Sequence, residues 1–263
     1  MVKVGILRGE KPDVRRLLDL IEFAPGKCEV AVVKANLCVS YPGLEGSPMD
    51  LRVLGQLLEY LEGVSDERIV VDACPSGEGV LRRYESVGAM DVCSYYGAEV
   101  VDLNTDVHIP VKRELKLLRH IRVPRTILKA DLLVNLALMK TSELAGVSLG
   151  LRNLLDILPG SSSYYSERMD EAICDALRIR RPDLSLIDGM VAVEKGRPRR
   201  MNLVLASTDP VALDVVGCKV MGINPGMVEY LVKAGFYNLG ETLLQKIDVV
   251  GERIEKVRER FMY

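Results

Sequence analysis

Aromatic and imidazole side chains are scarce in this chain of 263 residues. It contains no tryptophan, three phenylalanines and two histidines, His108 and His120. The sequence has no H-E-x-x-H motif and no Cys–His pairing, which argues against a zinc hydrolase of that pattern and against a thiol protease. Long apolar runs are also missing, and a bilayer-spanning helix needs about 20 apolar residues. We therefore expect no membrane-spanning segment and little imidazole chemistry.

Neither sign of charge is in excess. The 35 Lys and Arg residues stand against 37 Asp and Glu, which gives a formal net charge of −2. This balance argues against a dedicated nucleic-acid or membrane-surface binder. Apolar residues at 48% exclude a disordered chain. Residues 1–5 enter a strand pattern directly and lack the apolar core of a signal peptide, so we expect a soluble, cytoplasmic protein.

Closely spaced cysteines are absent. The six cysteines form no C-x-x-C pair and no ferredoxin-type iron–sulfur motif. In an intracellular chain we expect them to stay reduced as small buried side chains. Cys38 and Cys74 each follow a predicted strand, so a redox or metal-carrier role that uses them with nearby carboxylates remains an alternative. Glutamine is rare while charged residues are plentiful, which is a thermophile-like composition.

Short β-branched runs alternate with helix-period segments along the whole chain. This alternation predicts a single α/β domain over residues 1–263, with a mostly parallel sheet, helices on both faces and Rossmann-like layering. Residues 140–182 are predicted to form a loop and helix insertion over the site. Within them, residues 159–166 are interpreted as a lid or as a plain surface loop. The predicted strands cover residues 2–7, 29–33, 68–71, 98–103, 132–136, 184–187, 203–206 and 247–250.

Three apolar stripes at helical spacing predict helices. The stripe Leu51, Leu54, Leu58 and Leu61 follows Ser47-Pro48, which we interpret as an N-cap and the first helical residue. Residues 169–177 form a second stripe. Residues 211–221 form a third, with Asp209-Pro210 in the same two roles.

Polar residues follow six of the predicted strands. In an open parallel sheet, ligands bind at the carboxyl ends of the strands, so these residues would converge on one edge. Lys34 and Lys140 are the strongest candidates, since a buried stem with an ammonium facing the crevice suits a carboxylate or phosphate. The polar groups are Lys34, Asn36 and Cys38; Asp72 and Cys74; Asn104 and Asp106; Lys140, Thr141 and Ser142; Asp188; and Ser207 to Asp209.

Arg152 and Asn153 follow a glycine-containing segment, residues 146–150, whose backbone amides could approach an anion closely. Internal ion pairs of Lys140 and Arg152 with Asp72 or Asp188 are the alternative interpretation. The loop Ser76-Gly77-Glu78-Gly79 matches neither a Walker loop nor a G-x-G-x-x-G fingerprint.

Asp214 lies on the apolar stripe of the third helix, where a carboxylate is costly unless it is paired. The sequence leaves two roles for Asp214 equally open. Its carboxylate has a functional role, or it forms a buried pair with a basic side chain or with backbone amides. Asp209 is explained by its capping position.

Four ordered motifs resemble the DUF362 family. Lys34-Ala35-Asn36 is similar to its K-P-N segment, and Lys140-Thr141-Ser142 to its K-T-H segment. The other blocks that resemble the family are residues 147–157, 186–190, and 206–214 with Met221-Gly222. The resemblance covers nearly the whole chain and implies no defined activity. Some members of the family carry iron–sulfur clusters, whose cysteine motif is missing here.

Two family histidines are replaced in this chain, one by Ser142 and a later one near residues 164–166. Arg152 stands where the family has a lysine, so the positive charge is kept. We therefore expect a small anionic metabolite, bound and transformed or only bound, in a crevice at the strand ends. Its binding residues would be Lys34, Asn36, Lys140, Thr141, Ser142, Arg152 and Asn153.

Chemistry at this site would use Asp188 or Asp214 as the base. A divalent cation is a further option, with Asp72, Asp214, Cys38 and Cys74 as its candidate ligands. RNA binding through the basic segments at residues 112–125, 178–181 and 197–200 is a lesser alternative, because no aromatic residues are interleaved with them. A homo-oligomer is compatible with the sequence.

Overall fold

The computed structural model describes residues 1–38, 47–74, 79–160 and 162–262. All eight predicted strands are confirmed, and three short strands are added. The strands are β1 (Val2–Arg8), β2 (Cys28–Lys34), β3 (Ser65–Asp72), β4 (Glu99–Asp102), β5 (His108–Pro110), β6 (Arg122–Pro124), β7 (Leu132–Ser142), β8 (Gly146–Ser148), β9 (Leu184–Glu194), β10 (Arg197–Ser207) and β11 (Ile247–Gly251).

Helices connect these strands, and the three predicted stripes are all helical. The α-helices are α1 (Val14–Leu20), α2 (Leu51–Glu62), α3 (Val80–Ser86), α4 (Ala89–Tyr95), α5 (Arg125–Lys129), α6 (Gly150–Asn153), α7 (Met169–Ile179), α8 (Pro210–Val220), α9 (Glu229–Phe236) and α10 (Ile254–Val257). The 3₁₀ turns cover Leu154–Ile157, Ser162–Arg168, Pro225–Met227 and Leu244–Lys246.

The main sheet has the order β11-β1-β10-β9-β7-β2-β3-β4, and β8 pairs with β7. Strands β11 and β1 pair in parallel, as do β9, β7, β2, β3 and β4 in turn. The predicted α/β class with a mostly parallel sheet is therefore confirmed. Strand β10 is antiparallel to both of its neighbours, β1 and β9.

The direction of β10 corrects one part of the predicted site. Ser207 and Asp209 follow a strand that runs against its neighbours, so they lie at the sheet edge opposite to Lys34 and Lys140. Asp209 caps α8 there by accepting hydrogen bonds from the backbone amides of Val211 and Ala212. Its predicted capping role is confirmed, and its predicted convergence with the other strand ends is wrong.

Helices cover both faces of the sheet. Along β2, Val32 packs into one hydrophobic cluster with residues of α7, α8 and α9, whereas Ala31 and Val33 pack into a second cluster with residues of α1 and α2. Neighbouring residues of a strand point to opposite faces, so a continuously apolar strand fits a sheet covered on both sides. No helix among the described residues is long and apolar enough to cross a lipid bilayer.

Two local predictions need revision or extension. Helix α2 begins at Leu51 and is capped by Asp50, which accepts from the Arg52 amide, so the cap predicted at Ser47-Pro48 is wrong.

Residues 140–182 form most of the crossover between the parallel neighbours β7 and β9, and α6 and α7 lie within them. The predicted glycine loop at 76–79 falls mostly outside the described residues.

Candidate functional site

Lys34 is the centre of a buried polar cluster at the carboxyl ends of β2 and β3. Its ammonium donates to the Asp72 carboxylate at 2.9 Å and to that of Asp156 at 3.3 Å. It also donates to the Ala35 carbonyl and to Asn153 Oδ1. Burial lowers the pKa of Lys34, but the two carboxylates outweigh this effect and leave it above the ordinary value. The ammonium thus faces these acceptors, whereas the sequence predicted that it faces an open crevice.

Asp72 joins the ends of β2 and β3. Its Oδ2 accepts from the backbone amides of Leu37 and Cys38 at 2.7 and 3.1 Å, and its Oδ1 accepts from the Ala73 amide at 2.9 Å. Together with the Lys34 ammonium, these donors supply hydrogen bonds to both oxygens of the buried carboxylate. Asp72 therefore holds the backbone of both strand ends in place.

Three asparagines connect the cluster to β7. Asn36 Nδ2 donates to Asn153 Oδ1 at 2.5 Å, and Asn153 Nδ2 donates to Asn135 Oδ1 at 2.8 Å. Lys140 Nζ donates to Asn36 Oδ1 at 3.4 Å. The structure thus brings together four predicted binding residues, Lys34, Asn36, Lys140 and Asn153.

Among the described residues, Lys140 has two carboxylates and two cations near it. Burial lowers its pKa to about 8, against the attraction of Asp156 and with the repulsion of Arg152 and Lys34. Lys34, by contrast, has two carboxylates in direct contact. A lysine with a pKa near neutrality can exchange a proton or take up charge when an anion binds beside it.

Arg152 completes the cationic side of the site. Its guanidinium lies 4.0 Å from the Asp156 carboxylate, and its buried Nε–H has no hydrogen-bond partner among the described residues. A buried donor without an acceptor is costly, and an anionic ligand would supply the missing acceptor. Over the described ranges, the cluster contains three cations, Lys34, Lys140 and Arg152, and two carboxylates, those of Asp72 and Asp156.

Asp214 acts on this site through helix α6. Its Oδ1 accepts from the Gly150 amide at 2.8 Å, and its Oδ2 accepts from the Leu151 amide at 3.0 Å and the Tyr230 hydroxyl at 3.1 Å. Burial raises its pKa to about 7, although these three donors lower it. The backbone amide set considered from the sequence is present, and it positions the helix that carries Arg152 and Asn153.

Asp188 lies inside β9, because that strand continues to Glu194 and does not end at residue 187 as the sequence suggested. Its carboxylate accepts from the backbone amides of Asp50 and Met190 at 2.7 and 2.9 Å. Burial raises its pKa to about 7 against the effect of these two donors. Asp188 thus connects β9 to the start of α2, and no hydrogen bond or ion pair among the described residues joins its side chain to the Lys34 cluster.

The side chains of Thr141 and Ser142 accept hydrogen bonds from backbone amides near the end of β7. Thr141 Oγ1 accepts from the Lys195 amide at 2.8 Å, and Ser142 Oγ accepts from the Ala145 amide at 3.3 Å. Both residues belong to the pairing of β7 with β8. The described contacts therefore do not join these two predicted binding residues to the Lys34 cluster.

Cys38 and Cys74 form a disulfide directly beside Asp72. The expectation that all six cysteines stay reduced is wrong for this pair. The other four cysteines, Cys28, Cys93, Cys174 and Cys218, are free.

Of the four predicted metal ligands, Cys38 and Cys74 lie beside Asp72 but are joined in a disulfide, and Asp214 lies apart from them. Asp72 contacts residues at the ends of β2 and β3, whereas Asp214 contacts the start of α6 and Tyr230. Over the part of the chain that the structure describes, His, Cys, Asp and Glu side chains form no group of three or more that could hold a metal ion.

Sequence reasoning missed Asp156 and Asn135 as members of the cluster. Asp156 follows Arg152 by four positions, which is the spacing of a helical ion pair and was the available signal. Asn135 interrupts the apolar run of β7, and a polar residue inside a buried strand needs a partner.

Comparison with known proteins gives a family and a fold. Residues 31–219 match a family model described as Domain of unknown function (DUF362). A thylakoid-associated protein from Synechocystis sp. is 28% identical over 122 residues, which is 41% of this chain and 38% of that protein. This chain therefore spans much less than the full length of that relative.

Among solved structures, the lactate racemase apoprotein from Thermoanaerobacterium thermosaccharolyticum is similar with a TM-score of 0.60 at 15% identity. The match covers 85% of this chain and 58% of the racemase chain, and it shows a shared fold only. A protein from Thermotoga maritima matches with a TM-score of 0.44 at 13% identity, over 73% of this chain and 55% of that one.

Proposed function

The chain belongs to the DUF362 family, and for this member we propose the binding of a small oxyanion, a carboxylate or a phosphate, beside Lys140 and Arg152. The observation that carries the proposal is the buried Nε–H of Arg152, which lacks an acceptor among the described residues. The lowered pKa of Lys140, about 8, supports it, because burial disfavours the charged form of this lysine and an anion beside it would favour that form. An anion at this position would accept from the Arg152 Nε–H and lie beside the Lys140 ammonium.

Lys34 and Asn153 hold the neighbouring side chains of this site in place. Lys34 holds Asp72 and Asp156 in place, and Asn153 links Asn36 to Asn135. Such a supporting layer keeps the two groups that contact the ligand in a fixed geometry. Lys34 is thus a positioning residue in this proposal, and Lys140 and Arg152 contact the anion.

Proton transfer at the bound molecule is the reaction class that Lys140 suits. A lysine with a pKa of about 8 is present in both protonation states near neutral pH, which is what an acid–base group needs. The fold shared with lactate racemase makes lactate a reasonable carboxylate to test. Asp188 and Asp214 have their oxygens occupied by backbone amides, so we assign them positioning roles instead.

Isothermal titration with inorganic phosphate and with lactate tests the binding step. We expect saturable binding of one of them, weakened about tenfold or more in Lys140→Met and in Arg152→Met, since each loses a charge-assisted hydrogen bond. The matched controls are Lys27→Met and Arg197→Met, which remove exposed cations elsewhere. Equal affinities in all four variants would contradict the proposal.

The Cys38–Cys74 disulfide favours a second candidate, a thiol–disulfide redox function. The backbone amide of Cys38 donates to Asp72, and Asp72 pairs with Lys34. Reduction of the disulfide would therefore alter the surroundings of this ion pair. Reduction by a dithiol transfers two electrons and two protons to the protein and leaves the reductant as its own disulfide. In intracellular proteins, disulfides are often catalytic or redox-sensing, and hyperthermophile proteins also keep structural ones.

Thiol counting separates these two kinds of disulfide. When the protein is unfolded in denaturant without reductant, it should expose four thiols. After reduction, the unfolded protein should expose six thiols. A redox-active pair is reduced in the folded protein by millimolar dithiothreitol, whereas a structural pair resists until the chain unfolds. The Cys38→Ser/Cys74→Ser variant should show four thiols under both conditions. Six thiols before reduction would contradict the disulfide.

A further inference from the structure

Two cavities lie outside the Lys34 cluster, next to the hairpin of β5 and β6. One cavity has a volume of about 680 Å³ and the other of about 630 Å³. Both are lined by Leu118, Arg119, His120 and Ile121. Because they share this wall, one molecule of moderate size could occupy both. The proposed function above uses none of these residues.

The first cavity is strongly cationic. Glu114 is the one carboxylate in its lining, and within the described ranges no carboxylate lies within 4.0 Å of Lys112, Arg113, Lys116 or Arg119. Unpaired like charges on one short segment repel one another, and an anion bound among them relieves that repulsion. Six cationic side chains line the two cavities, Lys112, Arg113, Lys116, Arg119, Arg122 and Arg178.

The basic segment is held in place by a buried carboxylate. Asp175 of α7 is fully buried and accepts from the backbone amides of Lys116, Leu117 and Leu118 at 2.8, 2.7 and 3.0 Å. Arg178 lies 3.3 Å from Asp175. A binding segment fixed before the ligand arrives loses little entropy on binding.

The second cavity presents aromatic rings. Tyr165 is fixed by a hydrogen bond of 2.6 Å from its hydroxyl to the Pro159 carbonyl. The Tyr164 ring packs edge-on against it, with centroids 5.0 Å apart, and is 79% exposed to solvent. His108 Nδ1 donates to the Asp106 carbonyl at 2.9 Å, which leaves Nε2 available. These groups suit a flat ring with polar edges.

We propose that the two cavities form one site for a small aromatic phosphate of the nucleoside diphosphate class. The ring would lie against Tyr164, whose position is fixed by the buried Tyr165, and the phosphates would face Arg119 and the lysines of the basic segment. Arg119 lines both cavities and stands where the two parts of such a ligand meet. Extended RNA fits less well, because it needs a row of stacking side chains along the basic surface.

Titration with ADP, inorganic pyrophosphate and a single-stranded oligonucleotide tests this site. We expect ADP to bind with one-to-one stoichiometry and more tightly than pyrophosphate, because only ADP has a ring. Arg119→Ala should weaken ADP binding about tenfold or more. Arg119 is exposed, so this variant should keep the melting temperature of the wild type. The matched control is Arg197→Ala, which should bind ADP normally.

Tyr164→Ala should remove the advantage of ADP over pyrophosphate, and Lys140→Ala should leave ADP binding intact. Loss of binding in Lys140→Ala but not in Arg119→Ala would place ADP in the strand-end cluster and overturn the proposal. Binding of the oligonucleotide without binding of ADP would overturn it in favour of a nucleic-acid surface. Equal binding of ADP and pyrophosphate in all variants would show nonspecific attraction of anions and would also overturn it.

Discussion

The ammonium of Lys34 and the carboxylate of Asp156 lie 3.3 Å apart, although 122 positions separate them along the chain. This ion pair joins the end of β2 to the 3₁₀ turn that follows α6. Asp72 contacts the same ammonium from β3. Three separate parts of the chain thus depend on one buried lysine.

Replacement of this lysine should destabilise the fold strongly. In Lys34→Met, the Asp72 and Asp156 carboxylates lose their shared counter-charge, and breaking such a buried pair costs about 3–5 kcal/mol. The control is Lys3→Met, which breaks the pair with exposed Glu22 and should cost no more than about 1 kcal/mol. Urea unfolding of both variants measures the difference. Equal destabilisation would show that Lys34 is not a structural centre.

A methyl group at Gly150 should disturb the start of α6. A Cβ built there lies 2.9 Å from Asp214 Oδ1 and 3.4 Å from Asn135 Nδ2. Alanine normally favours a helix over glycine, so any loss of stability in Gly150→Ala reports this crowding. We expect a loss of about 1–3 kcal/mol in the free energy of unfolding. Gly26→Ala, where a Cβ meets nothing within 4 Å, should be near neutral. A neutral Gly150→Ala would contradict the close contact with Asp214.

The two buried aspartates should make stability fall as the pH rises from about 4 to 7. Burial raises the pKa of Asp188 and of Asp214 to about 7, well above the value of about 3.9 in an unfolded chain. Between these values the folded state binds more protons than the unfolded state, so the free energy of unfolding decreases with pH. The stabilisation is complete below about pH 4 and is lost through pH 7.

Tyr230→Phe provides a selective check of this titration. The Tyr230 hydroxyl donates to Asp214 and lowers its pKa, so its removal should raise the pKa of Asp214 and leave that of Asp188 unchanged. Carboxyl carbon shifts, followed by NMR over pH 3 to 9, measure both values. Titration of Asp214 near pH 4 in the wild type would contradict the buried site.

The fold was largely readable from the sequence, because continuous apolar strands separated by helix stripes are typical of a layered α/β sheet. The direction of β10 could not be predicted from the sequence, since a strand buried on both faces has the same apolar pattern in either direction. A signal was present between Glu194 and Arg197, which pair across the turn Lys195-Gly196. Both turn residues have positive φ, as tight hairpins require.

The candidate site was predicted in part. Lys34, Asn36, Lys140 and Asn153 meet as expected, because parallel strands end at one sheet edge. Spacing along the chain could not reveal that Lys34 is already paired, since its partner Asp156 approaches through the crossover from β7 to β9. The role of Asp214 as a cap for α6 depends on the same long-range packing.

The central claim is that Lys140 faces an anion site, and its own titration tests this most directly. With lysine Cε resonances assigned by Lys140→Arg, we expect Lys140 to titrate near pH 8 in the free protein and distinctly higher when phosphate or lactate is saturating. At pH 8, binding should then take up about half a proton, detectable by calorimetry in buffers of different ionisation enthalpy. A free Lys140 that titrates near its ordinary value of about 10.4, with no change on adding either anion, would contradict the claim.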